Sequence, residues 1–185
     1  MDPIVLEALK KWPNVPDCRG WLGLDTRGHW YLRDGAVQAA GTFAQSKGSR
    51  IEHERLVEFI GRNYEADAAG CWFFQNGPQR VYVELEAAPW IWRVARSGDG
   101  FTLHSHTGQP ASAEQAWSDE DGRLFVQTTL GFGLVHSLDM AIAADAIEAG
   151  RWPLAQLRFG QMPQRFGYVL SPLAAQSIAP TKEKG

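Results

Sequence analysis

Three groups of residues in this chain have the types and spacing that chemistry requires. His104 and His106 stand two apart in Phe101-Thr102-Leu103-His104-Ser105-His106, where strand alternation puts Phe101 and Leu103 on one face and both imidazoles on the other. Two imidazoles on one strand face can reach a single metal ion, and His136 or Asp139 would supply a third ligand. Such a centre would serve a metal-assisted hydrolase or isomerase. The competing reading is a pair of solvated histidines, since no second motif of fixed spacing accompanies them. No cofactor is implied by any motif.

The second group is His136, Ser137 and Asp139. Neighbours at the start of one helix do not converge as nucleophile, base and orienter, so Ser137 reads as an N-cap and Asp139 as a carboxylate in the first turn. Gly131-Phe132-Gly133 just before them is a glycine pair ahead of a helix, but it lacks the spacing of a dinucleotide-binding turn. The third group is Gln79-Arg80 and Gln164-Arg165. Two guanidinium forks and two carboxamides facing one groove would hold a carboxylate or phosphate bidentately; against this, each arginine could be a solvated residue paired with a local acid such as Glu84 or Glu86. Glu84 and Glu86 share a face with Tyr82, and on a wet strand such carboxylates need no function.

The elements that must position these residues begin with Asp2 and Pro3, an N-cap and first-turn proline opening a helix that stops before Pro13. Asp25-Thr26-Arg27-Gly28 predicts a hairpin turn between Trp21 to Leu24 and His29 to Arg33. Ser49-Arg50-Ile51-Glu52 has the pattern of a capping box, opening a helix with Leu56, Phe59, Ile60 and Tyr64 on one face. From Cys71 to Val94, Val81, Val83 and Leu85 alternate with Tyr82, Glu84 and Glu86, and Trp90, Trp92 and Val94 continue the period, which predicts one antiparallel meander. Asp119 to Gly122 turns a further hairpin. A helix over 138–149 is apolar around most of its circumference and is expected to be the most buried. Leu154 to Phe159 and Arg165 to Leu170 read as a last hairpin, and the chain after Pro172 as a fraying tail.

Two matches recur in the same order: Asp25-x-x-Gly28-x-Trp30-Tyr31 with Asp119-x-x-Gly122-x-Leu124-Phe125, and Phe74-x-x-x-Pro78-Gln79-Arg80 with Phe159-x-x-x-Pro163-Gln164-Arg165. They predict an α+β protein of mostly antiparallel sheets in two repeated hairpin-helix-hairpin lobes related by a pseudo-twofold axis. The expected division is an N-terminal helix and linker (1–19), a first repeat (20–86), connecting strands (87–112), a second repeat (113–172) and a flexible tail (173–185). The competing reading is that both matches record hairpin chemistry alone.

Composition narrows the function classes. At 44% hydrophobic and 21% charged, with net charge -3, the chain has the balance of a globular protein. It lacks the basic footprint of a nucleic-acid binder, and no apolar stretch approaches a membrane span. Two cysteines, and a start that reads as a short helix with no apolar h-region, lead us to expect a cytoplasmic protein. The eight tryptophans fall mostly on alternating strands, which assigns them to a core rather than a stacking platform. The opening DPIVLEALKKWPNVP, the hairpin GHWYLRDG and the run GLVHSLDM resemble a family of uncharacterised proteobacterial proteins. The layout is loosely similar to a second such family for which a signalling role has been suggested. The resemblance implies a bacterial cytosolic setting and no transferable functional residue. The leading expectation is a non-enzymatic binding or regulatory module for a small anionic ligand or a protein partner; the alternatives are the metal-assisted enzyme and a structural domain, with a homodimer formed through sheet edges.

Overall fold

A computed structural model describes residues 1–178. The chain divides into two compact units, one of residues 1–24, 30–86 and the described residues from 169 on, the other of residues 25–29 and 87–168. The strands near Trp90 to His106, expected to connect two repeats, fall within the second unit.

The first unit opens with helix α1 (Pro3–Lys11), which has proline in its first turn and buries Val5. Strands β1 (Cys18–Leu24) and β2 (Trp30–Leu32), helix α2 (Gly35–Ala39) and the short β3 (Ser49–Arg50) follow. Helix α3 (Glu54–Arg62) leads to β4 (Tyr64–Ala66), β5 (Trp72–Asn76) and β6 (Gln79–Leu85). The capping box does not form: Ser49 lies on β3, and α3 is capped by His53, whose Nδ1 accepts from the Leu56 N–H at 3.3 Å. The sheet order is β3-β2-β1-β6-β5-β4. It consists of two antiparallel meanders joined by a parallel pair, β1 with β6, in which Leu22 faces Val83 and Leu24 faces Leu85. These four side chains are buried with Trp30 and Phe74, and Phe59 of α3 packs edge-on against Phe74 at 5.5 Å. Gly23 leaves room for the Phe43 ring, which occupies the space a Cβ would need. The last helix, α6 (Pro172–Ile178), also belongs to this unit, so the expected tail begins as a helix; residues 179–185 lie outside the described residues.

In the second unit, β7 (Trp90–Ser97), β8 (Gly100–Ser105) and β9 (Pro110–Ala111) form one meander, and β10 (Ala113–Ser118), β11 (Leu124–Thr128) and β12 (Gly131–Val135) another. After a 3₁₀ turn at 137–139 come helix α4 (Met140–Glu148), β13 (Leu154–Gln156), a second 3₁₀ turn at 159–161 and helix α5 (Met162–Phe166). The order is β13-β10-β11-β12-β7-β8-β9, with β12 parallel to β7 and β13 parallel to β10. Leaving aside β13, this sheet repeats the strand order of the first: the first strand of one meander lies beside the last strand of the next. Trp90 and Trp92 stack at 5.9 Å, and their indole N–H groups donate to Leu130 O and Val126 O. Burying a side chain as large as Trp92, fully enclosed here, stabilises by about 3 kcal/mol.

The α+β class and the two β-rich lobes are as expected. Several details are not. The run from Cys71 to Val94 is no single meander; the Ala87-Ala88-Pro89 break sends β5 and β6 to one sheet and β7 to the other. Helix α4 buries only Ala143 and Ala146 of its own length, because small alanines rather than large side chains line its inner face. In place of the last hairpin there is α5, with Pro163 in its first turn and Gly167 closing it at φ 67°.

One five-residue turn recurs at 25–29, 67–71, 105–109 and 119–123. In each, the first N–H bonds the fifth carbonyl, the fourth N–H bonds the first carbonyl, and the first side chain accepts from the third and fifth N–H groups. The fourth residue is glycine with φ between 74° and 83°. The Asp25 and Asp119 match is therefore turn chemistry, and strand order makes 67–71, not 25–29, the counterpart of 119–123.

Candidate functional site

The histidines do not come together. His104 is exposed on β8 opposite Arg93. His106 lies past the end of that strand, its ring buried against Trp90 and its Nδ1 accepting from the Ile91 N–H at 3.3 Å. Burial pushes the imidazole pKa down to about 3, against a smaller upward pull from Asp25. His136 follows β12 and accepts from the Leu138 N–H at 3.1 Å; burial and the charge of Arg93 lower its pKa. Among the described residues, no three His, Cys, Asp or Glu side chains are placed to hold a metal ion.

The second group is structural as well. His136, not Ser137, caps the 3₁₀ turn. Asp139 is buried and accepts from Arg93 Nε at 2.6 Å, Arg93 Nη2 at 3.1 Å and the Val94 N–H at 3.0 Å. Burial alone would raise its pKa, but these donors outweigh it and hold the carboxyl below its ordinary value. Gly133 is glycine for packing, since a Cβ there would meet Trp92 Nε1 at 2.5 Å.

The paired Gln-Arg motifs fall on unlike elements. Gln79 and Arg80 are on β6, where the Gln79 amide donates to Pro16 O at 3.0 Å and the Arg80 guanidinium lies 4.6 Å over Phe73. Gln164 and Arg165 are exposed on α5, with Arg165 over Phe166. A strand and a helix share no register, so the symmetry argument for bringing the two arginines together fails. Glu84 is buried rather than wet; burial raises its pKa, while Ser171 and the Leu173 N–H at 3.1 Å pull it down. Glu86 pairs with Lys47 at 2.8 Å. No sequence pattern marks Arg33. It is 2% exposed and donates to the carbonyls of Gly20, Gly41 and Ser46, which fixes the loop before β3.

An arginine and two carboxamides do face one groove, within the second unit. The parallel strands β10 and β13 end side by side at Ser118 and Gln156. The space between is a cavity of about 440 Å³ lined by Ser118, Asp119, Glu120, Gln156, Arg158 and Gln161 among others. Two bonds hold its walls together: the Leu157 N–H to Ser118 O at 3.1 Å and the Phe159 N–H to Glu120 Oε2 at 2.8 Å. The Asp119 carboxylate is enclosed, bonded to two turn N–H groups and to Arg123 Nε at 2.7 Å. The Phe159 N–H, and further off the charges of Arg123 and Arg158, keep Glu120 ionised below the usual carboxylate range. Among the described residues, the side chains of Ser118, Gln156 and Gln161 have no protein hydrogen-bond partner and Arg158 has no ion-pair partner within salt-bridge distance, so these groups are available to a ligand. A smaller, mostly apolar cavity of about 270 Å³ lies at the end of β12 between Leu134, Ser137 and Met140. No sequence signal marked the larger groove, because its residues come from two strand ends that only the β10–β13 pairing makes neighbours.

Among solved structures, the chain is similar to the crystal structure of a DUF1285 family protein from Silicibacter pomeroyi DSS-3, with a TM-score of 0.49 and 16% identity, covering 78% of this chain and 75% of that one. No curated protein matches it. No helix among the described residues is long and apolar enough to cross a membrane. The family model DUF2944, described as "Protein of unknown function (DUF2946)", matches residues 1–173, and the chain belongs to that family of uncharacterised proteins.

Proposed function

We propose that the protein is a non-enzymatic binding module, working in the bacterial cytoplasm, whose groove at the ends of β10 and β13 takes a small anionic ligand. The observation that carries this reading is the set of uncommitted groups there: the Arg158 guanidinium with the Gln156 and Gln161 amides and the Ser118 hydroxyl. A guanidinium fork and neutral donors at the mouth of a cavity suit a carboxylate or phosphate. By contrast, His136 Nδ1 and the Asp139 carboxylate are bonded to Leu138, Arg93 and Val94, which suits a scaffold better than an acid–base pair. Pairing through sheet edges is also poorly supported, since the terminal strands β3, β4, β9 and β13 are only two or three residues long.

The test is a thermal-unfolding screen of the full chain against phosphate, succinate, citrate and amino acids. A ligand at about 100 times its dissociation constant stabilises the native state by about 2.7 kcal/mol, which reads as a shift of several degrees. The shift should vanish in Arg158→Ala and persist in Arg80→Ala and Arg165→Ala. A shift that survives Arg158→Ala, or no shift with any compound, overturns the assignment.

A further inference from the structure

Resting on that reading of the groove, we propose that its ligand is a zwitterion of the α-amino-acid type, with the carboxylate on Arg158 and the ammonium on Glu120. The groove holds two acids and one arginine from its own walls, and their commitments differ. Asp119 is sealed inside its turn and neutralised by Arg123, which lies 2.7 Å from one carboxylate oxygen. Glu120 is exposed, lines the groove and spends only Oε2, on the Phe159 N–H. That hydrogen bond also fixes where the carboxylate sits, because Phe159 opens the 3₁₀ turn that follows Arg158. One side chain of each sign is thus presented on adjoining walls. A simple dianion would meet Glu120 as a like charge, whereas a ligand carrying both charges engages both. The remaining lining adds neutral donors and acceptors from Gln156, Gln161 and Ser118, which suit a polar side chain. A volume of about 440 Å³ leaves room for that side chain beyond the two charged groups.

The experiment is calorimetric titration of the full-length protein with L-glutamine, N-acetyl-L-glutamine and L-glutaminamide. The first keeps both charges, the second lacks the ammonium and the third lacks the carboxylate. L-glutamine should bind at least about tenfold more tightly than either blocked form, tenfold being about 1.4 kcal/mol. Glu120→Gln keeps an acceptor for the Phe159 N–H and removes the charge. In that variant N-acetyl-L-glutamine should bind as tightly as L-glutamine, and Arg158→Ala should lose both. If N-acetyl-L-glutamine or succinate binds the unaltered protein as well as L-glutamine does, the zwitterion is refuted while the anion site stands. If none of these compounds binds, both readings fall.

Discussion

His106 should make the stability of this protein fall with acid in a way that one substitution removes. Its ring is buried beside Trp90, its Nδ1 accepts from the Ile91 N–H, and its pKa is pushed down to about 3. In the unfolded chain an imidazole titrates near 6.5. The sign follows from proton counts. Between about pH 6.5 and 3 the unfolded state holds a proton that the native state refuses, so the stabilising contribution is complete above pH 6.5 and is lost as the pH falls. Each pH unit in that window is worth about 1.4 kcal/mol, so lowering the pH from 7 to 4.5 costs about 2.5 kcal/mol through this residue alone. Carboxylates also titrate there, and comparison with His106→Gln removes their share, because glutamine can still accept from the Ile91 N–H without taking up a proton. Urea unfolding of both proteins at a series of pH values should give stability curves that diverge by about 2.5 kcal/mol between about pH 7 and 4.5. The His106 ring proton signal should show no titration in the native protein above pH 4. Parallel curves, or a native-state titration midpoint near 6, would refute the reasoning.

Three further substitutions test other parts of the second unit. Asp139→Ala strands the Val94 N–H in a buried place and should cost about 2–3 kcal/mol, and Arg93→Ala, which leaves the buried Asp139 carboxylate with the Val94 N–H but no ion-pair partner, should cost about 1–3 kcal/mol; no loss in urea unfolding for either variant would count against this account. Because the Asp139 carboxyl is held below its ordinary value, its contribution is present near neutrality and should be lost only as the pH falls through the native pKa. Gly133→Ala drives a methyl into Trp90 and Trp92 and should cost about 2–4 kcal/mol, seen as a red-shifted tryptophan emission and an earlier urea midpoint.

What could be read from the sequence was whatever is local. Period-two alternation located β6, β7 and most other strands, and proline at position 3 opened α1. Asp-x-x-Gly marked two of the recurring turns because the carboxylate and the glycine conformation are both needed within five residues. The same rule would have found Asp67 and Gly70, but Ser105 performs the role with a hydroxyl and escapes it. Buried polar side chains were misread for the opposite reason. Alternation alone puts Glu84 on the outer face of β6, and only the docking of α6 buries it; Arg33 satisfies carbonyls from loops that have no pattern of their own.

The candidate site shows the same limit most clearly. The sequence pairs Gln79-Arg80 with Gln164-Arg165 only if the turn at Asp25 corresponds to the turn at Asp119. Strand order sets a different correspondence. In both sheets the first strand of one meander lies parallel to the last strand of the next, so the Asp119 turn takes the place that the Asp67 turn holds in the first sheet. That shift leaves Arg165 on a helix with no counterpart. It leaves β13 as an added strand beside β10, and because the pair is parallel both strands end at the same edge of the sheet, which sets Ser118 to Glu120 beside Gln156 to Gln161 around the groove.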